Sequence, residues 1–139
     1  MTPPLEPTVT LVRAERLAGS VPYAYAAIAA PGALVFTAGA CPLDADGRTV
    51  AVGDVVGQAQ QVMANLAVAL EAAGAGLGDV VKTTVFVASS RRDDLGAAWE
   101  VVHAAFGDHD APSTLLGVGV LGWPDQLVEV EAVAVRPPG

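Results

Sequence analysis

The sequence predicts an α+β domain: a mainly antiparallel or mixed sheet with two helices on one face. Three observations lead there. Short runs rich in β-branched residues, bounded by glycine and proline, alternate with two segments of helical period. Their order is strand, strand, strand, helix, strand, helix, strand, strand. The chain has 139 residues, 53% of them hydrophobic, and neither a long linker nor an internal repeat, so its size is that of one domain.

Residues 1–7 are proline-rich and are expected to be loose. "TVTLVRA" (8–14) reads as the first strand. The chain then turns through "LAGSVPYAY", and Tyr25 to Ala29 make a second strand. "ALVFTAG" (33–39) is a third, flanked by Pro31-Gly32 and ending at Gly39. Asp46-Gly47 marks a turn. Over 54–73, Val55, Ala59, Val62, Met63, Leu66 and Leu70 recur at helical spacing, with Gln58, Gln61, Asn65 and Glu71 falling off that stripe. Asp54 is the expected N-cap, and Gly74 or Gly76 the stop. "DVVKTTVFVAS" (79–89) is a strand. Ser90 or Asp93 then opens a second helix through Phe106, with Leu95, Ala98, Trp99, Val102 and Phe106 as its buried stripe. "STLLGVGV" and "LVEVEAVAV" are the last two strands.

Counting faces gives more. In the last strand Val128, Val130, Ala132 and Ala134 point one way, and Glu129, Glu131, Val133 and Val135 the other. The strand at 80–88 is apolar on both sides, with Val81, Val85 and Val87 set against Val80, Phe86 and Ala88. Two helices cover only one side of such a sheet. The other side is too hydrophobic for water, and packing it against further copies around an axis would cover it. A cleft between subunits would then be lined by strand residues, Glu129 or Glu131 among them.

Composition excludes several function classes. The net charge of -8 and only seven basic residues, with Arg91-Arg92 the sole adjacent pair, oppose nucleic-acid binding. The single cysteine, Cys41, rules out an intrachain disulfide and a thiolate zinc cluster and fits a reducing compartment. No membrane span and no signal peptide is evident, so the expectation is a cytoplasmic protein. The two histidines, His103 and His109, lack metal-ligand company at useful spacing, so no metal is expected.

Few residues are left to carry chemistry. Glu129 and Glu131 share one strand face at i, i+2. They are either solvated or paired on that face, or one of them sits in an apolar cleft, where burial lifts a carboxyl's pKa and lets it shuttle a proton or orient a water. Cys41 stands at a strand end, as a small hydrophobe or a nucleophile. Ser113 has no base nearby in sequence. Tyr23, after Pro22 in a loop, either stacks on a ligand or covers a core edge. Trp99 belongs to a helix stripe, whereas Trp123, in the Gly122-Trp123-Pro124 turn, can rim an interface or a pocket.

The stretches "VPYAYA", "LVFTAGACPLDADG", "QAQQVMANLAVALEAAGAGLGDVVKTTVFV", "AAF" and "VEVEAVAV", in that order from Val21 to Arg136, resemble the Rid family of small enamine/imine deaminases. The resemblance implies a chorismate-mutase-like fold, with one six-stranded sheet per chain. It also implies a homotrimer with an inner barrel, outer helices and three intersubunit clefts. It further implies hydrolysis of 2-aminoacrylate-type enamines and their imine tautomers to ammonia and a 2-keto acid, with no cofactor. By position, Glu129 would orient the attacking water. Tyr23, the strand-end segment Gly39-Ala40-Cys41, and Ser113 and Thr114 would line the substrate.

Two positions depart from the family pattern. The family's substrate-gripping arginine lies in a Pro-Ala-Arg-Ser/Thr motif before the fifth strand. Here that motif reads Ala111-Pro112-Ser113-Thr114, so Ser113 stands where the arginine is expected. Trp99 replaces an asparagine often found on the second helix. Losing a bidentate, charge-assisted contact costs roughly 2–5 kcal/mol of binding. The chain therefore resembles the branch that lacks the carboxylate-binding arginine, with Arg16, Arg48 and Arg136 left as other candidates to reach the cleft. Two readings follow: a hydrolase acting on a small molecule other than the usual 2-imino acids, or a non-catalytic ligand-binding or regulatory trimer. A ribonuclease, a third activity associated with the family, is disfavoured by the acidic charge.

Overall fold

The computed structural model describes residues 6–139, so most of the proline-rich segment 1–7 lies outside the described residues. The chain forms β1 (Val9–Val12), β2 (Ala26–Ala29), β3 (Leu34–Phe36), α1 (Val55–Ala72), β4 (Val80–Val87), α2 (Arg92–Phe106), β5 (Ser113–Gly117) and β6 (Val128–Val135), with a 3-10 turn at Leu77–Asp79 before β4. Both helices and all six strands fall where the residue pattern puts them.

The strands do not form a single sheet. β1 and β2 make an antiparallel ribbon of their own, and the other four run in the order β3-β6-β4-β5. The ribbon is tied to the body by its ends: Thr8 Oγ1 donates to Asp79 Oδ1 (2.6 Å), and the Ala24 N–H donates to the Asp110 carbonyl (2.8 Å). The sheet is mixed. β6 runs antiparallel to both β3 and β4, and β5 runs parallel to β4. That parallel pair is joined through α2, the long crossover a parallel connection requires. The two strands of the C-terminal stretch are therefore not neighbours, because β4 lies between them.

Helix α1 is set by its caps and its stripe. Asp54 is the N-cap and accepts from the Gly57 N–H (3.0 Å). The helix stops where Gly74 takes a positive φ of 82°. Ala59, Val62, Met63, Leu66 and Leu70 are buried against the sheet, as their spacing predicts. Gln58 corrects the pattern, because it is wholly buried rather than off the stripe. Its Nε2 donates to the Asp125 carbonyl (2.9 Å) and its Oε1 accepts from the Leu127 N–H (2.7 Å), so one side-chain amide satisfies two backbone groups of the loop. Gln58→Ala strands both backbone groups and is expected to lower unfolding stability by roughly 2–5 kcal/mol in urea titrations at fixed protein concentration. A change below about 1 kcal/mol would remove the structural role.

Helix α2 begins at Arg92 rather than at Ser90 or Asp93. Ser89 organises this end instead: its Oγ donates to Asp94 Oδ2 (2.7 Å) and accepts from the Arg91 N–H (3.0 Å). Ala98 and Val102 are buried, with Leu95, Trp99 and Phe106 packed around them. No helix among the described residues is long and apolar enough to cross a membrane.

The sheet faces differ from the simple alternation in one place. A bulge in β4 inserts Val81 between Val80, opposite Ala134, and Lys82, opposite Val133. Val80 thereby joins Thr83, Val85 and Val87 on the helix-covered face instead of Phe86 on the other. On β6 Val128, Val130, Ala132 and Ala134 are buried beneath the helices, as expected. The helix-free face carries Phe36 (72% exposed), Leu34 (56%) and Leu116 (42%) alongside Glu131 and Lys82.

Candidate functional site

β6 projects Glu129 from the helix-free face, opposite Phe86 of β4. Beyond Phe36 the chain stays beside β6 but takes up one extra residue before Ala40, which bridges Val130 through bonds of 2.7 and 3.2 Å. This local bulge carries the Gly39 backbone against the Glu129 carboxyl, and any Cβ at position 39 would collide with that carboxyl. Cys41 Sγ donates to Glu129 Oε1 (3.3 Å), and Gln126 Nε2 donates to the same oxygen (3.2 Å) and to the Val128 carbonyl (3.1 Å). Gln126 is itself buried and accepts from the Trp123 N–H (3.1 Å). Both donors to Glu129 fall on Oε1, and Oε2 is the atom that a Cβ at position 39 would meet first. Glu131, two residues on, is exposed and lies opposite Thr84.

Helix α1 pins both loops that carry this cluster. Asn65 Nδ2 donates to the carbonyls of Cys41 (2.8 Å) and Leu43 (2.9 Å), and Gln61 Nε2 donates to Asn65 Oδ1 (2.9 Å). Gln58, one turn back, holds the 125–127 segment before Glu129. Residue patterning alone misses Gln58, Asn65 and Gln126 as parts of the site. The visible signal is three amides at i, i+3 and i+7 on one helix, but Gln126 has none.

The Cys41 thiol is pushed above its ordinary range, first by burial, then by its hydrogen bond to Glu129 and by repulsion from that carboxyl; Gln126 and Trp123 oppose the shift. A thiol held protonated is a donor rather than a nucleophile. The pH midpoint of Cys41 alkylation by iodoacetamide should lie above that of free cysteine, and Glu129→Gln should move it down. A midpoint unmoved by that substitution would sever the coupling.

Tyr23, Ser113 and Thr114 gather elsewhere. With Pro22, Trp99 and Leu115 they line a cleft of about 520 Å³ at the free edge of β5. Ser113 Oγ shares a hydrogen bond with Thr83 Oγ1 (2.6 Å), and Thr114 Oγ1 accepts from Lys82 Nζ (2.6 Å). The Tyr23 loop is clamped by Arg13, which donates to the carbonyls of Val21 (3.0 Å) and Tyr23 (2.6 Å) and to Asp110 Oδ2 (2.9 Å). The other Asp110 oxygen meets His103 Nε2 (3.0 Å), and the His103 ring stacks on Trp99 at 5.7 Å. Among the described residues of one chain no arginine lines the cleft: Arg48 faces Asp46 in its turn, and the Arg136 side chain lies against Gly74.

Within one chain these residues form two half-sites. Ser113 pairs with Thr83 on the helix-covered face, whereas Glu129 pairs with Phe86 on the opposite face, with β4 between their strands.

The family model for Endoribonuclease L-PSP proteins matches residues 13–136. The 2-iminobutanoate/2-iminopropanoate deaminase of Salmonella typhimurium is 39% identical over 107 residues, which cover 76% of this chain and 81% of that protein. The chain belongs to the Rid family. Among solved structures, a Rid-family protein from Yersinia pestis superposes with a TM-score of 0.86 at 31% identity, over 92% of this chain and 98% of that one. TdcF of Escherichia coli with bound serine gives 0.66 at 31%, over 92% and 99%. The mixed sheet with two helices is thus the Rid architecture, and the cluster around Glu129 and the cleft at Ser113 are this Rid chain's two candidate half-sites.

Proposed function

We propose that the protein is a cofactor-free imine/enamine hydrolase whose site is completed between copies of a homotrimer. Its substrates lack the carboxylate of the usual 2-imino acids. The observation that carries this reading is the Glu129 carboxyl, held on one oxygen by Cys41 and Gln126 and backed by Gly39. A carboxyl fixed in this way can align a water and take its proton. The water oxygen bonds to the imine carbon while the C=N π pair moves to nitrogen. That proton reaches the nitrogen and leaves a carbinolamine; its hydroxyl proton then passes to the amino nitrogen, the oxygen lone pair forms the C=O bond as the C–N pair departs with nitrogen, and a carbonyl compound and ammonia leave. Support for the assembly comes from the exposed Phe36, Leu34 and Leu116 on the helix-free face. The cleft at Ser113 of one copy would then receive Glu129 from its neighbour. The named activity of the Salmonella relative supports the reaction class. Ser113, standing where the family motif carries its arginine, supports a different substrate.

The test is ammonia release from imines generated in situ. An uncharged imine should turn over, and 2-iminobutanoate should turn over poorly. Acceleration of neither, with a ligand that raises Tm and is recovered intact, would replace hydrolysis by the non-catalytic binding that the loss of the arginine also permits.

A further inference from the structure

We infer that the cleft at the β5 edge selects a flat aromatic group attached to a neutral hydrogen-bonding head, such as an aryl imine. The inference rests on the hydrolase reading for its reaction but on the cleft alone for its chemistry.

Three features point this way. The walls are flat and apolar: Trp99, with one face already stacked on His103, stands with Tyr23, Pro22 and Leu115 around about 520 Å³. An aromatic ring gains most from such a wall, by offset or edge contacts with the indole and phenol. The side-chain polar groups of the lining residues are all neutral: the hydroxyls of Tyr23, Ser113 and Thr114 and the indole N–H of Trp99.

The third feature is the backbone of β5. In the parallel ladder the Thr83 N–H donates to the Pro112 carbonyl and the Val118 N–H to the Val87 carbonyl. Even-numbered residues of β5 therefore bond to β4, and the N–H and C=O of Ser113 and Leu115 point to the free edge beside the cleft. Those groups present one neutral donor and one neutral acceptor per residue. An amide, imine or ketone can use them without a counter-charge.

Charge argues against an anion. Asp110 sits behind Trp99 through His103, and the chain carries -8 overall. Two cations touch lining residues: Arg13, at the Tyr23 carbonyl and already paired with Asp110, and Lys82. Lys82 rises from the helix-free face, and its ammonium is engaged by the Thr114 hydroxyl.

Benzamide is the probe: a flat ring with a neutral donor–acceptor head. Calorimetric titration of the assembled protein should show benzamide binding at least tenfold more tightly than benzoate or 2-oxobutanoate. Trp99→Leu and Trp99→Phe should each weaken benzamide, the leucine variant more, and benzamide should shift the Ser113 and Leu115 backbone amide resonances. Equal or tighter binding of benzoate or 2-oxobutanoate overturns the inference. So does unchanged benzamide affinity in both Trp99 variants, with folding verified by circular dichroism. The two readings fail separately. Benzamide bound through Trp99 without hydrolysis of any imine overturns the hydrolase and upholds the cleft. Faster hydrolysis of an uncharged alkyl imine than of an aryl imine overturns the cleft and upholds the hydrolase.

Discussion

Glu129→Gln is expected to lower kcat for imine hydrolysis by roughly 10²–10⁴ while leaving KM and the melting temperature close to those of the parent. The amide has the carboxyl's shape. Its oxygen can take the Oε1 position and keep both the Cys41 and the Gln126 hydrogen bonds. The –NH₂ group then occupies the Oε2 position, where it donates to a water instead of accepting from it and has no basic lone pair for the proton. On the proposed reading the loss should appear in turnover, because Tyr23, Trp99 and Ser113, which line the separate cleft, would supply the contacts to bound substrate. Glu131→Gln is the control: Glu131 shares the strand face but is exposed and lies outside the Gly39–Cys41–Gln126 cluster, so kcat should stay unchanged. Equal losses in the two variants would reduce Glu129 to a contributor of bulk charge.

The second large effect is on assembly. Phe36→Asp should convert the protein from a species near three times 14.0 kDa to one of 14.0 kDa in sedimentation. Phe36 is 72% exposed on the helix-free face. Burying such a ring against another copy contributes about 1.5–3 kcal/mol, and replacing it with an unpaired carboxylate adds several kcal/mol of desolvation. A symmetric assembly repeats that penalty at every interface. The monomer should keep the far-UV spectrum, since Phe36 contributes nothing to the helix-covered core, but should lose turnover with the completed site. A Phe36→Asp protein that stays three times 14.0 kDa would place the contact elsewhere.

Much of this was legible in the residues. The stripe from Val55 to Leu70 located α1, and the alternation in "VEVEAVAV" assigned Glu129 and Val130 to opposite faces. What stayed hidden depends on contacts between segments distant in sequence. The β4 bulge at Val81 moved Val80 to the core face, because pairing register is decided by the neighbouring strand and not by the run itself. Gln58 looked solvated until the loop at 125–127 supplied partners for its amide. The resemblance placed Tyr23, Cys41, Ser113 and Glu129 around a cleft between subunits, and within one chain strand order puts β4 between Ser113 and Glu129.

The placement of these half-sites on opposite faces of one sheet makes the protein modular under selection. Gly39, Cys41, Gln126 and Glu129 constrain one another so closely that a change at one disturbs the rest. Tyr23, Trp99 and Ser113 sit at a sheet edge and share no hydrogen bond with that cluster. A lineage can therefore exchange residues at the edge with the Glu129 cluster intact. Combinatorial libraries confined to positions 23, 99 and 113 exploit the same division: they sample recognition broadly while folding and bond-breaking chemistry are passed on unchanged.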